Sequence, residues 1–233
     1  MILRRRYILE LLALLCLTIA LFGCEPTEQR FAAPRPLEIT PPTREAILAG
    51  WDRGIAYLLE SQLSDGSWGR SNRRYMYIAT RKTSANDFKM ATTALALQAL
   101  IESGADQSAE GLAVIERAEA WMLHKLPSFR YDGDNEMFNV WGHAYALQTI
   151  STILEKRPMT DERRAEWETL AALQVRLLVS YESLRGGWGY YSTYPHTRPP
   201  THWATSFMTA SVLIAFHDAQ EAGIEVPRGT VAT

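Results

Sequence analysis

The most constraining feature of this sequence is an alternation of amphipathic and apolar helical segments, repeated three times between residues 43 and 226. In the first amphipathic segment, Ile47, Trp51 and Ile55 recur at the four-residue spacing that places them on one helix face. The segment that follows it, from about residue 87 to 103, is apolar or small on nearly every face. We therefore expect an exposed helix followed by a buried one.

Two further pairs of segments follow the same order. Residues 110–126 are amphipathic and residues 140–155 are mostly apolar. Thr160 is a predicted N-cap for a third amphipathic segment, and residues 204–222 are again apolar nearly all round. The sequence therefore predicts an all-α domain of three hairpins, each with an outer and an inner helix.

Local sequence similarity supports the threefold repeat. The inner segments align as Thr93–Leu97, His143–Leu147 and Thr209–Leu213. The first and third outer segments end in Asp65–Gly69 and Arg185–Gly189, which share a glycine shortly before a tryptophan. The second repeat has a polar loop, residues 131–136, in place of this signal. Repeats of this length usually stack so that each buries its apolar face on its neighbour.

Residues at the end of the first outer segment have a recognisable spacing, part of which recurs in the third repeat at Gly187 and Trp188. The residues of the first repeat are Arg53, Gly54, Tyr57, Leu58, Gln62, Gly66 and Trp68. This spacing resembles the QW repeat of squalene-hopene cyclases, oxidosqualene cyclases and protein prenyltransferase β subunits. The resemblance covers about residues 44–226 and implies an α/α toroid of concentric helices. It also implies that the Gln and Trp are structural, tying an outer helix to a neighbouring helix.

The catalytic groups of that family are missing at the matching positions. Its cyclases protonate an isoprenoid with an Asp-x-Asp-Asp motif directly before a Thr-Ala pair on an inner helix, whereas no acid directly precedes Thr93, His143 or Thr209. The nearest textual match, Asp132–Asn135, lies several residues too early. The prenyltransferases bind zinc through an Asp, a Cys and a His, and no cysteine follows Cys24. We therefore expect no cyclase activity, no metal and no cofactor.

In a toroid, the N-terminal ends of the inner helices and the loops before them line one mouth of a central cavity. The candidate cavity-lining residues are Asp87, Asp134, Glu136, Trp141, His143, Tyr145, Tyr190, His202 and Trp203. Aromatic walls with scattered acids and imidazoles suit an apolar ligand or a sugar ring. Each residue also has a structural interpretation: His143 as a hydrogen-bonded core residue, the aromatic residues as packing, and the acids as solvated loop carboxylates.

Two classes of function are compatible with these residues. One is a binding module that uses the toroid surface or cavity to hold a lipid, a glycan or a protein partner. The alternative is a diverged enzyme on the same scaffold, acting on an isoprenoid lipid or a polysaccharide. The sequence favours the binding module, because an enzyme would need an acid and a base that converge on one site. A net charge of −2 and the lack of a basic cluster beyond residues 4–6 argue against nucleic acid.

The N-terminus has the organisation of an export signal. Three arginines, residues 4–6, precede an apolar run over residues 7–22, and Gly23 stands directly before Cys24. This pattern resembles the lipobox of bacterial lipoproteins, which implies a signal peptide over residues 1–23 and acyl chains such as palmitate on Cys24. The alternative is an uncleaved membrane anchor. Either way, we expect the remainder to lie outside the cytoplasm, held to the envelope membrane through a Pro-rich spacer, residues 24–42.

The ends of the repeat array predict an incomplete ring. A closed toroid in the family takes about twice the six helices counted here, so the flanks of the first and last hairpins would face water. Those flanks are expected to include Trp51, Phe207 and Phe216. Residues 227–233 read either as a disordered tail or as the lead-in to a missing repeat. A truncated product, a fragment of a longer gene, or a half-ring completed by self-association would each account for this pattern.

Overall fold

The computed structural model describes residues 40–69, 82–129, 139–189 and 204–230, and every structural statement refers to these ranges. Tertiary contacts divide the chain into two compact units, Met1–Arg44 and Glu45–Thr233. Nearly all the described residues, and the whole hydrophobic core that they form, belong to the second unit.

The described residues form six α-helices and three short 3-10 turns, with no strand among them. The helices are α1 Arg44–Ser61, α2 Lys82–Glu102, α3 Ala109–Lys125, α4 Asn139–Lys156, α5 Asp161–Ser180 and α6 Ser206–Glu221. The 3-10 turns are Ala105–Gln107, Leu126–Ser128 and Arg228–Thr230. The prediction of an all-α domain is confirmed, but α2 begins at Lys82, earlier than the expected start at Asp87.

Local residues explain where the helices begin and end. Thr160 accepts a hydrogen bond from the backbone N–H of Arg163, so the predicted N-cap of α5 is confirmed. Ser108 caps α3 in the same way through the N–H of Gly111. Shortly after α2 ends, Gly104 adopts a left-handed conformation at φ 72°, which allows the chain to turn away.

The apolar helices pack side by side. The middle helix α4 contacts both α2 and α6, while α3 packs against α2 and α5 packs against α4. Helices α2, α4 and α6 therefore form an inner layer, and α3 and α5 cover one side of it. Helix α1 is more loosely held: Ile55 and Leu58 pack against the core, but none of its residues is buried.

The core lies between the inner layer and the outer helices. Leu97 and Leu147, at the same position of successive repeats, are both fully buried, and so are Ile115 of α3 and Leu178 of α5. Burial of one such side chain contributes roughly 1.5–3 kcal/mol to stability. The packing of α3 and α5 onto α2 and α4 therefore accounts for much of the stability of the domain.

The expected exposed flanks are only partly found. Trp51 is 56% exposed and Phe207 is 49% exposed, although the ring of Phe207 also packs against that of Trp141 in α4. Phe216, however, is only 1% exposed, so its assignment to an open flank is wrong. The reason is that Trp188, in the loop after α5, covers it edge-on, with ring centroids 5.7 Å apart at 78°.

None of the helices in the described ranges is long and apolar enough to span a membrane.

Candidate functional site

The loop after α1 is tied to the start of the next inner helix by Trp68. Its indole N–H donates to the carbonyl of Leu58, near the end of α1, at 2.9 Å. Its backbone N–H donates to the hydroxyl of Thr93 in α2 at 3.0 Å. Trp68 is 3% exposed and Thr93 fully buried, so one residue fixes both the end of the outer helix and the position of the inner helix.

The loop after α5 makes the same two bonds. The indole N–H of Trp188 donates to the carbonyl of Leu178 at 2.7 Å, and its backbone N–H donates to the hydroxyl of Thr209 at 3.1 Å. Gly66 and Gly186 turn the two loops at φ 89° and 84°. The first and third repeats are therefore equivalent in geometry as well as in sequence.

Gln62 connects neighbouring outer helices. Its amide donates to the carbonyl of Val114 in α3 at 2.8 Å and to that of Gly66 at 3.0 Å. Arg117 of α3 donates to the Gln62 carbonyl oxygen at 2.9 Å. The remaining residues of the QW-like spacing, Arg53, Gly54 and Tyr57, are exposed. Gly187, with φ 73°, accepts a backbone hydrogen bond from Ser183 in the loop before Trp188.

One side of the inner layer faces away from α3 and α5, which are the outer helices that pack on it within the described ranges. We call this side the open face. It is defined by Phe88 and Leu95 of α2, Trp141 and Tyr145 of α4, and Phe207 and Ile214 of α6. Leu95 is 45% exposed and Ile214 is 53% exposed, although both lie on apolar helices. The inner helices α2 and α6 therefore each keep part of their apolar surface exposed.

Three aromatic rings form a continuous row across the open face, one from each inner helix. The ring centroids of Phe88 and Trp141 are 5.9 Å apart, and those of Trp141 and Phe207 are 6.1 Å apart. Both pairs are tilted, at 60° and 48°, as aromatic rings prefer. The first turns of α4 and α6 and the first third of α2 thus share one apolar surface.

Hydrogen bonds between the inner helices hold this surface in place. The buried hydroxyl of Thr149 in α4 donates to the carbonyl of Ala94 in α2 at 2.9 Å. On the other side of α4, the amide of Gln148 donates to the carbonyl of Ser211 in α6 at 3.1 Å. Polar bonds of this kind, in addition to apolar packing, fix the relative positions of the three helices.

Carboxylates gather near the other end of the inner layer. Burial raises the pKa of Asp218 in α6, and the neighbouring charges of Glu102 and Glu155 raise it further, against the opposing effect of His217. Each inner helix supplies one of these acids near its C-terminus, where the helix dipole also disfavours negative charge. Within the described ranges, no three His, Cys, Asp or Glu side chains are grouped to hold a metal ion.

The structure places His143 inside the core rather than on the open face. Its side chain is fully buried, and its Nδ1 lies 2.6 Å from the amide oxygen of Gln174 in α5. Its ring also packs against Phe129 and Tyr181, with centroids 4.6 and 5.5 Å away. Asp87, at 1% exposure, is buried as well. Of the candidate cavity residues that lie within the described ranges, only Trp141 and Tyr145 are on the open face.

Several other candidates lie outside the described residues. These are Cys24, the proposed lipidation site, and the cavity candidates Asp134, Glu136, Tyr190, His202 and Trp203. Conversely, sequence reasoning does not single out Phe88 or the three acids at the ends of the inner helices. The available signal is spacing: Phe88 lies seven residues before Leu95, two helical turns away on the same side.

No protein-family model, no curated protein and no solved structure matches the chain in the comparisons made.

Proposed function

We propose that the protein is a ligand-binding module of the bacterial cell envelope, built as an arc of α/α-toroid repeats that resemble those of the prenyltransferases and squalene cyclases. The order of helices supports the arc, because outer helices α3 and α5 each pack on the preceding inner helix. The matching tryptophan loops of the first and third repeats support it further. On this proposal, the open face is the concave side of the arc.

The observation that carries the proposal is the aromatic row Phe88, Trp141 and Phe207. The rings pack against one another, and together they form one apolar surface on which a ligand with an apolar face can lie. Of the three side chains, that of Phe207 is 49% exposed. Rings from three separate helices, held by inter-helix hydrogen bonds, give a surface that is formed before the ligand arrives, which lowers the entropic cost of binding.

The chemistry of the aromatic row indicates the ligand class. Aromatic rings pack against apolar groups and against the apolar faces of sugar rings, so an uncharged lipid or a neutral oligosaccharide fits this surface.

The position of His143 supports binding rather than catalysis. General acid–base chemistry needs a base within hydrogen-bond reach of the reacting group. His143 faces Gln174 and the outer layer, and so has no access to a molecule lying on the open face. The acids lie toward the opposite end of the inner helices from the aromatic row.

The envelope location rests on the N-terminal sequence. The basic residues 4–6, the apolar run and the Gly23–Cys24 pair together support processing and lipidation at Cys24. In the native host, Cys24→Ala should leave an unprocessed precursor, or release the protein from the membrane fraction, and should abolish labelling with palmitate. Unchanged processing with no acyl label in either form would contradict the lipid anchor.

Ligand binding is tested by analysing what the full chain carries out of its membrane. The protein is extracted in mild detergent, purified, and examined by native mass spectrometry for lipids and oligosaccharides. We expect a retained small molecule that is reduced in Trp141→Ala and unchanged in Trp51→Ala, which removes an exposed tryptophan of α1 that is not part of the aromatic row. Equal retention by the two variants, or none by the parent protein, would contradict the proposal.

A further inference from the structure

In the first repeat, a side chain after the end of α1 connects this outer helix to the next one, α3. The third repeat has an equivalent position after α5, but the described residues contain no further outer helix for it to contact. In the first repeat, Gln62 stands six residues before Trp68 and contacts Val114 and Arg117 of α3. Counting back from Trp188 in the same way places Glu182 at this position. Glu182 is part-exposed and follows α5, the last outer helix within the described ranges.

The outer helices can be aligned by their buried positions. In α3 these include Gly111, Val114, Ile115, Ala118 and Met122, and in α5 the same spacing gives Trp167, Leu170, Ala171, Gln174 and Leu178. Helix α1 is aligned with α5 independently, because Leu58 and Leu178 both accept the indole bond of the tryptophan ten residues later. The two alignments together place Arg53 of α1 at the position of Arg117 in α3.

In α1, the positions equivalent to the buried ones are not covered. Ile47 and Trp51 are each 56% exposed, whereas their equivalents Trp167 and Ala171 in α5 are 1% and 0% exposed. Helix α5 reaches this burial by packing on α4, the inner helix before it. Helix α1 thus presents a surface that an inner helix would cover.

The inner helix α6 is exposed where an outer helix would cover it. The fifth residue of the aligned inner segment is Leu97 in α2, Leu147 in α4 and Leu213 in α6. The first two are fully buried, while Leu213 is 38% exposed. Since α3 covers α2 and α5 covers α4, the exposure of Leu213 marks the side of α6 on which an outer helix would lie.

We propose that the protein associates head to tail with a second copy of itself, with α1 of one copy packed on α6 of the other and Arg53 opposite Glu182. Within the chain, the equivalent contact pairs Arg117 with the neutral side chain of Gln62. The contact between two copies would pair Arg53 with the carboxylate of Glu182. The two uncovered surfaces and the two opposite charges all belong to the same chain. Contact between two copies would therefore cover α1 of one copy and α6 of the other, and would pair Arg53 with Glu182. This contact is heterologous, so it forms either a closed ring or an open chain of copies.

Charge reversal tests the proposal on the full-length chain in mild detergent. Sedimentation velocity over a range of concentrations should show association of the parent protein. We expect Glu182→Arg and Arg53→Glu each to weaken it about tenfold or more, because each places like charges face to face. The double variant should restore most of the affinity. Glu168→Arg and Arg176→Glu, on the exposed side of α5, are the matched controls and should leave association unchanged.

Cross-linking tests the orientation separately. In a background with Cys16→Ser and Cys24→Ser, which removes both native cysteines, Arg53→Cys and Glu182→Cys are made in separate proteins. A short bis-maleimide should cross-link the mixture of the two far more than either alone. A parent protein that stays monomeric, a double variant that fails to recover, or cross-linking of one variant mainly to itself would each overturn the proposal.

Discussion

The backbone N–H of Trp68 donates to the hydroxyl of Thr93, 25 residues later in the chain, and both residues are buried. The pair Trp188 and Thr209 repeats this bond in the third hairpin. A tryptophan loop and an inner-helix threonine thus act together as the connection between an outer helix and the inner helix that follows. Substitutions in this connection and in the packing around it should therefore have distinct effects on stability.

Removing the threonine hydroxyl should weaken the hairpin. Thr93→Val keeps the shape of the side chain but leaves the buried N–H of Trp68 without its acceptor. We expect a loss of about 1–3 kcal/mol in the free energy of unfolding, measured by chemical denaturation. Thr169→Val is the control, because Thr169 bonds within its own helix at an exposed position. Equal losses of stability in Thr93→Val and Thr169→Val would show that the hydrogen bond from Trp68 does not stabilise the fold.

Two glycines with the same backbone conformation should respond differently to alanine. Gly66 and Gly186 both have positive φ, so alanine at either position incurs the strain of a left-handed residue, roughly 1–2 kcal/mol. At Gly66, a Cβ would also lie 2.5 Å from the backbone oxygen of Arg117, whereas at Gly186 no atom lies within 4 Å. Gly66→Ala should therefore destabilise the fold clearly more than Gly186→Ala. Similar losses of stability in the two variants would mean that Gly66 does not lie close to the backbone of α3.

The guanidinium of Arg157 bridges two acids of the second repeat. It donates to Asp106 at 2.9 Å and to Glu119 at 3.0 Å, with its own side chain only 9% exposed. Arg157→Met should leave both carboxylates without their partner and cost about 2–4 kcal/mol in unfolding experiments. Arg163→Met, which removes an exposed pair with Glu166, should change stability by less than about 1 kcal/mol. Comparable losses in the two variants would contradict this assignment.

Stability should depend on pH through Asp218. Its pKa is raised above the ordinary 3.8, so the folded state favours the protonated form. Stability from this group is present at low pH and is lost as pH rises from 3.8 through the raised pKa. Asp218→Asn should therefore stabilise the protein at pH 7 and make no difference well below the ordinary pKa. A stabilisation that is the same at both pH values would show that charge is not its cause.

Asp65 should behave in the opposite way. Burial acts to raise its pKa, but hydrogen bonds from Lys89 and Ser67 outweigh burial and lower it to about 2. Its contribution to stability is present above 3.8 and is lost as pH falls toward about 2. Asp65→Asn should thus destabilise the protein at pH 7, with the difference disappearing in acid. A destabilisation that persists at acidic pH would point to a role independent of charge.

The helices themselves can be predicted because apolar residues follow the helical period over long segments. The apolar pattern places the start of α2 too late, at Asp87 rather than Lys82, because the first turn is polar and has no apolar period. The pattern also misses the burial of Phe216. That burial depends on Trp188, 28 residues earlier in the chain, and sequence periodicity carries no information on such long-range contacts.

The candidate site is harder to predict, since nearly every face of an inner helix is apolar. His143 and Tyr145 differ by two residues and so lie on different sides of α4, but the sequence does not say which side is covered. Only the packing of α5 shows that His143 faces the core and that Tyr145 is left on the open face. The acids near the ends of the inner helices come together through tertiary packing, and no local motif marks them.

Hydrogen–deuterium exchange tests most directly the central claim that the open face binds a ligand. The full chain, freshly purified from its native host in mild detergent, is compared with the same protein after exhaustive detergent exchange. We predict that the bound state slows exchange in the N-terminal parts of α4 and α6, around Trp141 and Phe207, and leaves α3 and α5 unchanged. Freshly extracted Trp141→Ala should match the exchanged protein. Identical exchange before and after detergent exchange, or protection confined to the outer helices, would contradict the claim.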